Sequence, residues 1–283
     1  MQLAIDTFSY HMRLGKHGYK PRNPSDIRWY CHKSKQLYMD GLHIDPYHID
    51  IKKDAGWVSE FALENNMYIE LGACGTSLTE LGPYILAAAE MKAEILRTFA
   101  GGSFLDGRAA TAKRTEAIKK ELEASVEMAA SHGIMLALEN HGDLFIDDLA
   151  ELMSISGDNL GICFDSGNFA FTGEDPLHAI DILGDRVVCT HLKDVCAVLK
   201  YSDAKPFASI DGEFHFCALG EGRLPLKNII DRLMSKNAGL RLTLEICSPE
   251  RKNMNEDMLL AFEEDNVKKS IWFIKQLYPR KEH

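Results

Sequence analysis

Eight times along this 283-residue chain a short β-branched or apolar run gives way to a longer stretch of helical period. That alternation constrains the fold more than any other feature, because each period demands a different backbone. The runs are Leu3–Thr7, Leu42–Ile44, Met67–Leu71, Ile95–Phe99, Ile134–Glu139, Leu160–Asp165, Val187–Leu192 and Leu240–Ile246. The helical stretches are Asp26–Met39, Asp50–Asn65, Glu80–Met91, Thr111–His132, Ile146–Ser156, Pro176–Leu183, Leu226–Ser235 and Glu256–Leu277. Strand–helix units in series imply a parallel sheet, and eight such units close one into a barrel. The expectation is an α/β protein, a (β/α)8 TIM barrel, with residues 1–283 forming a single domain. Length alone suggests about two domains, but α/β barrels routinely run to ~250 residues or more as one. No linker rich in Pro, Gly or Ser divides the chain. The longest irregular stretch is Cys196–Gly222, between the seventh and eighth strands, and a long loop there belongs over the active face.

Helix signals support the pattern. In Thr111–His132, Ala117, Ile118, Leu122 and Val126 recur at helical spacing, and Gly133 supplies the stop. Pro176, just after Glu174 and Asp175, suits a first helical turn.

Four of the late runs carry a polar residue at or one position before their end. Leu138 leads into Glu139, Phe164 into Asp165, Thr190 into His191 and Leu244 into Glu245. A charge at the end of an apolar strand is costly in isolation, but the C-terminal ends of all barrel strands meet at one mouth. Three carboxylates brought together there cannot all stay ionised unaided, and a divalent cation resolves the repulsion. Three carboxylates and an imidazole suit manganese, with magnesium, cobalt or zinc as alternatives, and leave positions open for substrate oxygens. A structural zinc site would be richer in cysteine. A lone carboxylate at a strand end is an ordinary solvated residue or helix cap; four successive strands ending alike are not explained that way.

The strings Leu138-Glu139-Asn140-His141-Gly142, Cys163-Phe164-Asp165-Ser166-Gly167-Asn168, Thr190-His191-Leu192-Lys193-Asp194 and Thr243-Leu244-Glu245 resemble the xylose isomerase-like superfamily. Within it they resemble the sugar isomerase/epimerase branch, which includes D-tagatose/D-psicose 3-epimerases and inosose dehydratase. Gly220-Glu221-Gly222-Arg223-Leu224-Pro225 and Ile95–Gly102 share that likeness, whereas the first ninety residues match only in pattern. The resemblance implies metal ligation by Glu139, Asp165, His191 and Glu245, with Glu139 and Glu245 as the acid/base pair on opposite faces of the substrate. It departs from the epimerases in carrying Leu192-Lys193-Asp194 in place of a Gly-Glu tail, and Asn168 where a His is common.

The chemistry so implied is isomerisation or epimerisation of a sugar by proton abstraction beside a carbonyl, through a metal-stabilised enediolate. The alternative on the same site is a lyase or dehydratase that expels a β-substituent, of an inosose dehydratase or 3-oxo-glycoside-cleaving kind. A non-catalytic sugar-binding protein is the third class. The apurinic endonuclease branch would need further His ligands that the second to fourth strands lack.

Around the four ligands, His141, Asn168, Lys193, Asp194 and Arg223 are candidate substrate-binding residues. Each has a plainer reading: His141 orients Glu139 or bonds the loop, Asn168 shapes a turn, Lys193 and Asp194 pair with each other, and Arg223 is an ordinary surface residue. Arg97 and Glu70 read as members of buried ion pairs. His11, His43 and Asp45 read as satisfied loop residues that could line a pocket, and Glu213 and His215 as part of a solvated loop or lid.

Bulk properties fit a small-molecule enzyme. A net charge of −10 disfavours nucleic acid as a partner. No window reaches the ~20 apolar residues of a membrane span, and the N-terminus lacks a signal-peptide pattern. Seven cysteines without a C-x-x-C, several of them in apolar runs (Cys163, Cys189, Cys247), read as reduced core residues of a cytoplasmic protein. A homo-oligomer fits such barrels, but no interface is legible.

Overall fold

The computed structural model describes residues 1–16, 18–103, 105, 108–155, 157–197, 207–209 and 212–279. Its strands are β1 (Gln2–Asp6), β2 (Gly41–Ile44), β3 (Tyr68–Gly72), β4 (Ile95–Thr98), β5 (Met135–Glu139), β6 (Leu160–Asp165), β7 (Val187–Leu192), β8 (Asp194–Ala197), β9 (Phe207–Ser209), β10 (Gly212–Cys217) and β11 (Arg241–Leu244). The helices are α1 (His11–Leu14), α2 (Ile27–Gln36), α3 (Ile51–Glu64), α4 (Leu78–Met91), α5 (Arg108–Ser131), α6 (Ile146–Ile155), α7 (Phe169–Thr172), α8 (Pro176–Leu183), α9 (Leu226–Lys236) and α10 (Glu256–Leu277). Strands β1 to β7 lie side by side in chain order, and β11 closes the ring between β7 and β1, all pairs parallel. This is the expected (β/α)8 barrel, with every expected strand present to within two residues. Ser156, the expected end of the fifth helical stretch, lies outside the described residues.

Barrel strands are buried on both faces, which is why they read as continuous apolar runs rather than as alternation. Leu3, Ile5, Leu42, Ile44, Leu71, Leu96, Leu136, Leu138, Ile162, Leu192, Leu242 and Leu244 all belong to one core with the inner faces of the helices. Polar residues fix where helices begin. The Ser77 hydroxyl accepts the Glu80 N–H, and the Glu80 carboxylate accepts the Ser77 N–H in return. That capping box starts α4 two residues earlier than its apolar period suggests. Asp26, Asp50, Asp175 and Asn255 cap α2, α3, α8 and α10 in the simpler one-way manner.

One expectation fails. Cys196–Gly222 is not uniformly irregular: β8, β10 and β9 form a small antiparallel sheet in that spatial order. Its pattern was present in Phe214-His215-Phe216, where both phenylalanines are buried. Positions 198–206 and 210–211 lie outside the described residues. Glu213 and His215 are therefore strand residues rather than a solvated loop; Glu213 is exposed and His215 buried.

Candidate metal centre and active site

The four strand-end residues meet. One ligand atom each from Glu139, Asp165, His191 and Glu245 lies within 4.8 Å of the others, and all four residues are buried. His191 Nδ1 stands 2.6 Å from Glu245 Oε2, 3.3 Å from Glu139 Oε1 and 3.9 Å from Asp165 Oδ2. Neighbouring register accounts for this, since Asp165 sits beside His191, and His191 beside Thr243 two positions before Glu245.

Local hydrogen bonds aim these side chains. Asp165 Oδ1 accepts the N–H groups of Gly167 and Asn168, each at 2.8 Å, which leaves Oδ2 to face the cluster. Asn140 clamps the ends of β5 and β6: its Oδ1 accepts the Asp165 N–H and its Nδ2 donates to the Asp165 carbonyl. Ser166 does the same between β6 and β7, donating to the Lys193 carbonyl and accepting the Lys193 N–H. Asn168 donates from Nδ2 to Glu139 Oε1 at 3.1 Å. Gly167 is required by close approach, because a Cβ there would lie 2.5 Å from the Lys193 Cβ.

Charge is concentrated in a dry space. Burial pushes the Asp165 carboxyl up to about 7; Lys193 opposes this, while Glu245 and Glu139 add to it. Burial acts the same way on Glu139 and Glu245, but the positive charges outweigh it and hold both below the usual carboxylate range. For Glu139 these are His191 and Arg97, and for Glu245 they are Lys193 and His191. Burial would lower Lys193, yet Asp165 and Glu245 hold it above its ordinary value. Asp165 and Lys193 thus answer differently to one contact, because Asp165 also faces two other carboxylates.

The residues present fit a cation. Glu139 Oε2, Asp165 Oδ2 and Glu245 Oε2 are buried and face Arg97 Nε at 3.3 Å, Lys193 Nζ at 2.8 Å and His191 Nδ1 at 2.6 Å; three carboxylates so close repel one another, and a cation shared among them relieves that repulsion. Ligands mutually within 4.8 Å match opposite positions around an ion with oxygen bonds of about 2.0–2.4 Å.

Above the carboxylates opens a cavity of about 450 Å³. Arg97, Asn168, Lys193, Glu139 and Glu245 line its polar side, and His141, Phe8, Phe99, Phe171, Phe207 and Phe216 form much of its wall. His141 stacks on Phe99 with ring centroids 4.1 Å apart, so it is held as a wall residue.

Other candidates fall differently from expectation. Lys193 and Asp194 do not pair with each other. The Lys193 ammonium lies 2.8 Å from Asp165 Oδ2 and 3.0 Å from Glu245 Oε1, while the Asp194 carboxylate accepts the N–H groups of Val195, Gly220, Gly222 and Leu224. Lys193 stands between β7 and β8 and Asp194 opens β8, and the two side chains leave on different sides. Asp194 therefore builds the Gly220–Leu224 turn, where a side chain on Gly222 would collide with it. Arg223 is exposed and outside the cavity lining.

Arg97 joins buried ion pairs with Asp45 at 2.8 Å and Glu139 at 3.3 Å, and Glu70 pairs with His43 at 3.1 Å. His43 is an interior strand residue rather than a loop residue. His11 and Asp45 do line the cavity. Asp6, Asn140 and Ser166 were missed. Asp6 carries the same signal as the late ligands, a carboxylate ending an apolar strand, and its Oδ2 lies 3.4 Å from His43 Nε2 and 3.8 Å from His191 Nε2.

Residues 75–277 match the xylose isomerase-like TIM barrel family. The rhizopine catabolism protein MocC of Rhizobium meliloti is 31% identical over 124 residues, which cover 42% of this chain and 38% of that protein. Inosose dehydratase of Lactiplantibacillus plantarum is 27% identical over 160 residues, covering 54% of this chain and 53% of that protein. The chain thus spans about half or less of the length of these relatives. Among solved structures, the IOLI protein with a bound zinc atom superposes with a TM-score of 0.71 at 12% identity, covering 99% of this chain and 100% of that one. D-psicose 3-epimerase in the presence of D-fructose gives 0.69 at 12% identity, covering 98% and 99%. At such identities the likeness is one of fold. No described helix is long and apolar enough to cross a membrane.

Proposed function

The chain belongs to the xylose isomerase-like TIM barrel family, and from that premise we propose that it is a metal-dependent sugar isomerase or epimerase. Its substrate is a small polyhydroxylated ketone or aldehyde, and the reaction begins with removal of a proton from the carbon beside the carbonyl. The observation that carries this reading is the convergence of three buried carboxylates and an imidazole beneath a cavity. Glu139, Asp165, His191 and Glu245 would hold the ion, manganese being the proposed identity. A divalent ion held there would supply Lewis-acid polarisation of a substrate carbonyl, worth several kcal/mol of charge stabilisation.

The chain's own residues do the rest. Glu139 and Glu245 are the proposed acid/base pair: one takes the carbon-bound proton and the other returns it, the centre inverting if they act from opposite faces. Both are held below the usual carboxylate range, so either is available as a base near neutrality. Asn168 and Arg97 orient Glu139, and Lys193 orients Glu245. The phenylalanine wall excludes water and offers apolar surface to the C–H face of a sugar. Seven free thiols suit the proposed cytoplasmic setting.

A dehydratase or lyase is the second reading, favoured by the Lys193 ammonium beside Glu245 and by the likeness to inosose dehydratase. An ammonium there can stabilise a departing oxygen, which simple epimerisation does not need. Proton NMR in deuterated water separates the two, with the manganese-loaded protein incubated with D-fructose, D-tagatose and an inosose. Exchange of one carbon-bound proton without fragment loss supports the isomerase, and release of water supports the dehydratase. Failure of the chelator-stripped protein to rebind about one equivalent of cation, or undiminished turnover in Glu245→Gln, overturns both.

A further inference from the structure

The imidazole of His191 can serve a cation at Nδ1 only if that nitrogen carries no proton, so something must fix which nitrogen does. A second set of buried polar groups, on the side of His191 away from Glu139, Asp165 and Glu245, is placed to do so. His191 Nε2 lies 3.1 Å from His43 Nε2, in hydrogen-bond contact, with the ring centroids 4.4 Å apart and the planes at 76°. Two ring nitrogens at that distance share one proton. On the far side of His43, Nδ1 lies 3.1 Å from Glu70 Oε2. That same oxygen accepts from Thr243 Oγ1 at 3.3 Å, and Arg241 Nη1 stands 3.8 Å from Glu70 Oε1. All three members of the row, Glu70, His43 and His191, are fully buried.

We propose that Glu70 and His43 are positioning residues that fix the His191 tautomer and ring plane, leaving Nδ1 bare toward Glu139, Asp165 and Glu245. This rests on the proposed cation site and adds how that site is prepared. The direction of the chain follows from its far end. Glu70, drawing on Thr243 and facing Arg241, is an acceptor, so the proton on this side of His43 belongs to Nδ1. A neutral His43 then presents a lone pair at Nε2, and the shared proton belongs to His191 Nε2; Asp6 Oδ2, 3.4 Å from His43 Nε2 and 3.8 Å from His191 Nε2, is buried there but in hydrogen-bond contact with neither. The opposite arrangement would place a proton on His191 Nδ1, where a cation must go, and would need a protonated Glu70 beside a guanidinium. A histidine ligand that gives its other N–H to a fixed acceptor is the usual support for a bound metal. Here the acceptor is a second histidine whose own orientation is set by a carboxylate on the next strand.

Histidine-selective ¹⁵N labelling tests this directly. In the cation-free protein, the proton between the rings is expected to show its one-bond coupling to His191 Nε2 and a coupling across the hydrogen bond to His43 Nε2. On loading with zinc, Nε2 keeps its proton and only the Nδ1 resonance moves. Zinc affinity, measured by competition with a chromophoric chelator, is expected to fall about 10- to 100-fold in His43→Phe and Glu70→Leu. Glu70→Gln, which can still present an oxygen to His43, stays within a few-fold of the parent. A proton bonded to His43 Nε2 instead, or parental zinc affinity in a folded His43→Phe, overturns the proposal. A parent protein that binds no zinc would count against the proposed function, and the coupling pattern would still decide the tautomer.

Discussion

The two halves of the barrel treat their polar residues differently. In the late half, β5 and β6 end on Glu139 and Asp165, β7 carries His191 one residue before its end, and Glu245 follows β11 directly. In the early half, β1 ends on Asp6, but β2, β3 and β4 carry His43, Glu70 and Arg97 at their third positions. The late half supplies groups that face the cavity floor, whereas the early half supplies partners that press on them from within. Arg97 reaches Glu139, and His43 reaches His191. The proposed site is thus divided between residues assigned the chemistry and residues that hold them, on opposite arcs of the same ring. Changes in the late half should remove activity from a folded protein, and changes in the early half should cost stability as well.

The largest effect is expected from Glu139→Gln or Glu245→Gln. Each keeps shape and removes a proposed base, so proton exchange in deuterated water should fall by about 10²- to 10⁴-fold. Cation affinity should also drop, read by titration. If either variant exchanges at the parental rate, the late half is not the chemical half.

Arg97→Met tests the other arc. It strips Asp45 and Glu139 of a buried partner at 2.8 and 3.3 Å. Leaving a buried charge uncompensated costs about 3–5 kcal/mol, so urea unfolding should show a loss of that order together with reduced exchange. Lost exchange at full stability would place Arg97 with the chemical residues and blur the division.

Asp194→Ala touches neither arc, although its residue adjoins Lys193. Four N–H groups lose their acceptor, two of them at glycines of the turn, and about 2–3 kcal/mol of stability should go. Cation affinity should hold within a few-fold, because the Asp194 carboxylate faces away from the carboxylate cluster. A large fall in affinity would mean that this turn supports the site.

The same contrast explains what was legible in the sequence. A polar residue ending an apolar run stands out, so Glu139, Asp165, His191 and Glu245 could be picked and their meeting foreseen from the barrel alone. A polar residue in the middle of a four-residue strand does not, because His43 in Gly-Leu-His-Ile looks like any satisfied core histidine until its neighbours are in place. Asn140 and Ser166 lay inside conspicuous strings, yet their task is to hold backbone groups on an adjacent strand, which needs the register. Lys193 and Asp194, adjacent and oppositely charged, suggested a pair; the two side chains leave on different sides. The β8–β10 sheet was hidden by its short strands, with only Phe214 and Phe216 marking an alternating face.

The smallest expected effect lies at the seam where the early half meets the last helix. Glu263 of α10 accepts the N–H groups of Met12 and Arg13 at 2.7 and 3.2 Å, fastening the segment after β1. Burial pushes its carboxyl up to about 8, against the ordinary 4.5, although those N–H groups and Arg13 pull the other way. Between these values the folded chain holds a proton that the unfolded chain releases. The contribution is therefore complete below pH of about 4.5 and declines as pH rises toward 8. Glu263→Gln cannot titrate and turns an amide N–H toward the Arg13 N–H. It should be less stable than the parent at pH 5 by about 1–2 kcal/mol, the order of one hydrogen bond to a buried group. By pH 8 the difference should close or change sign, because only the parent then carries a buried negative charge. Groups remote from Glu263 titrate alike in both proteins, so urea midpoints at the two pH values isolate this carboxyl and its immediate neighbours. A difference that stays constant would mean that Glu263 is ionised throughout, and that the seam is held by charge rather than by a protonated carboxyl.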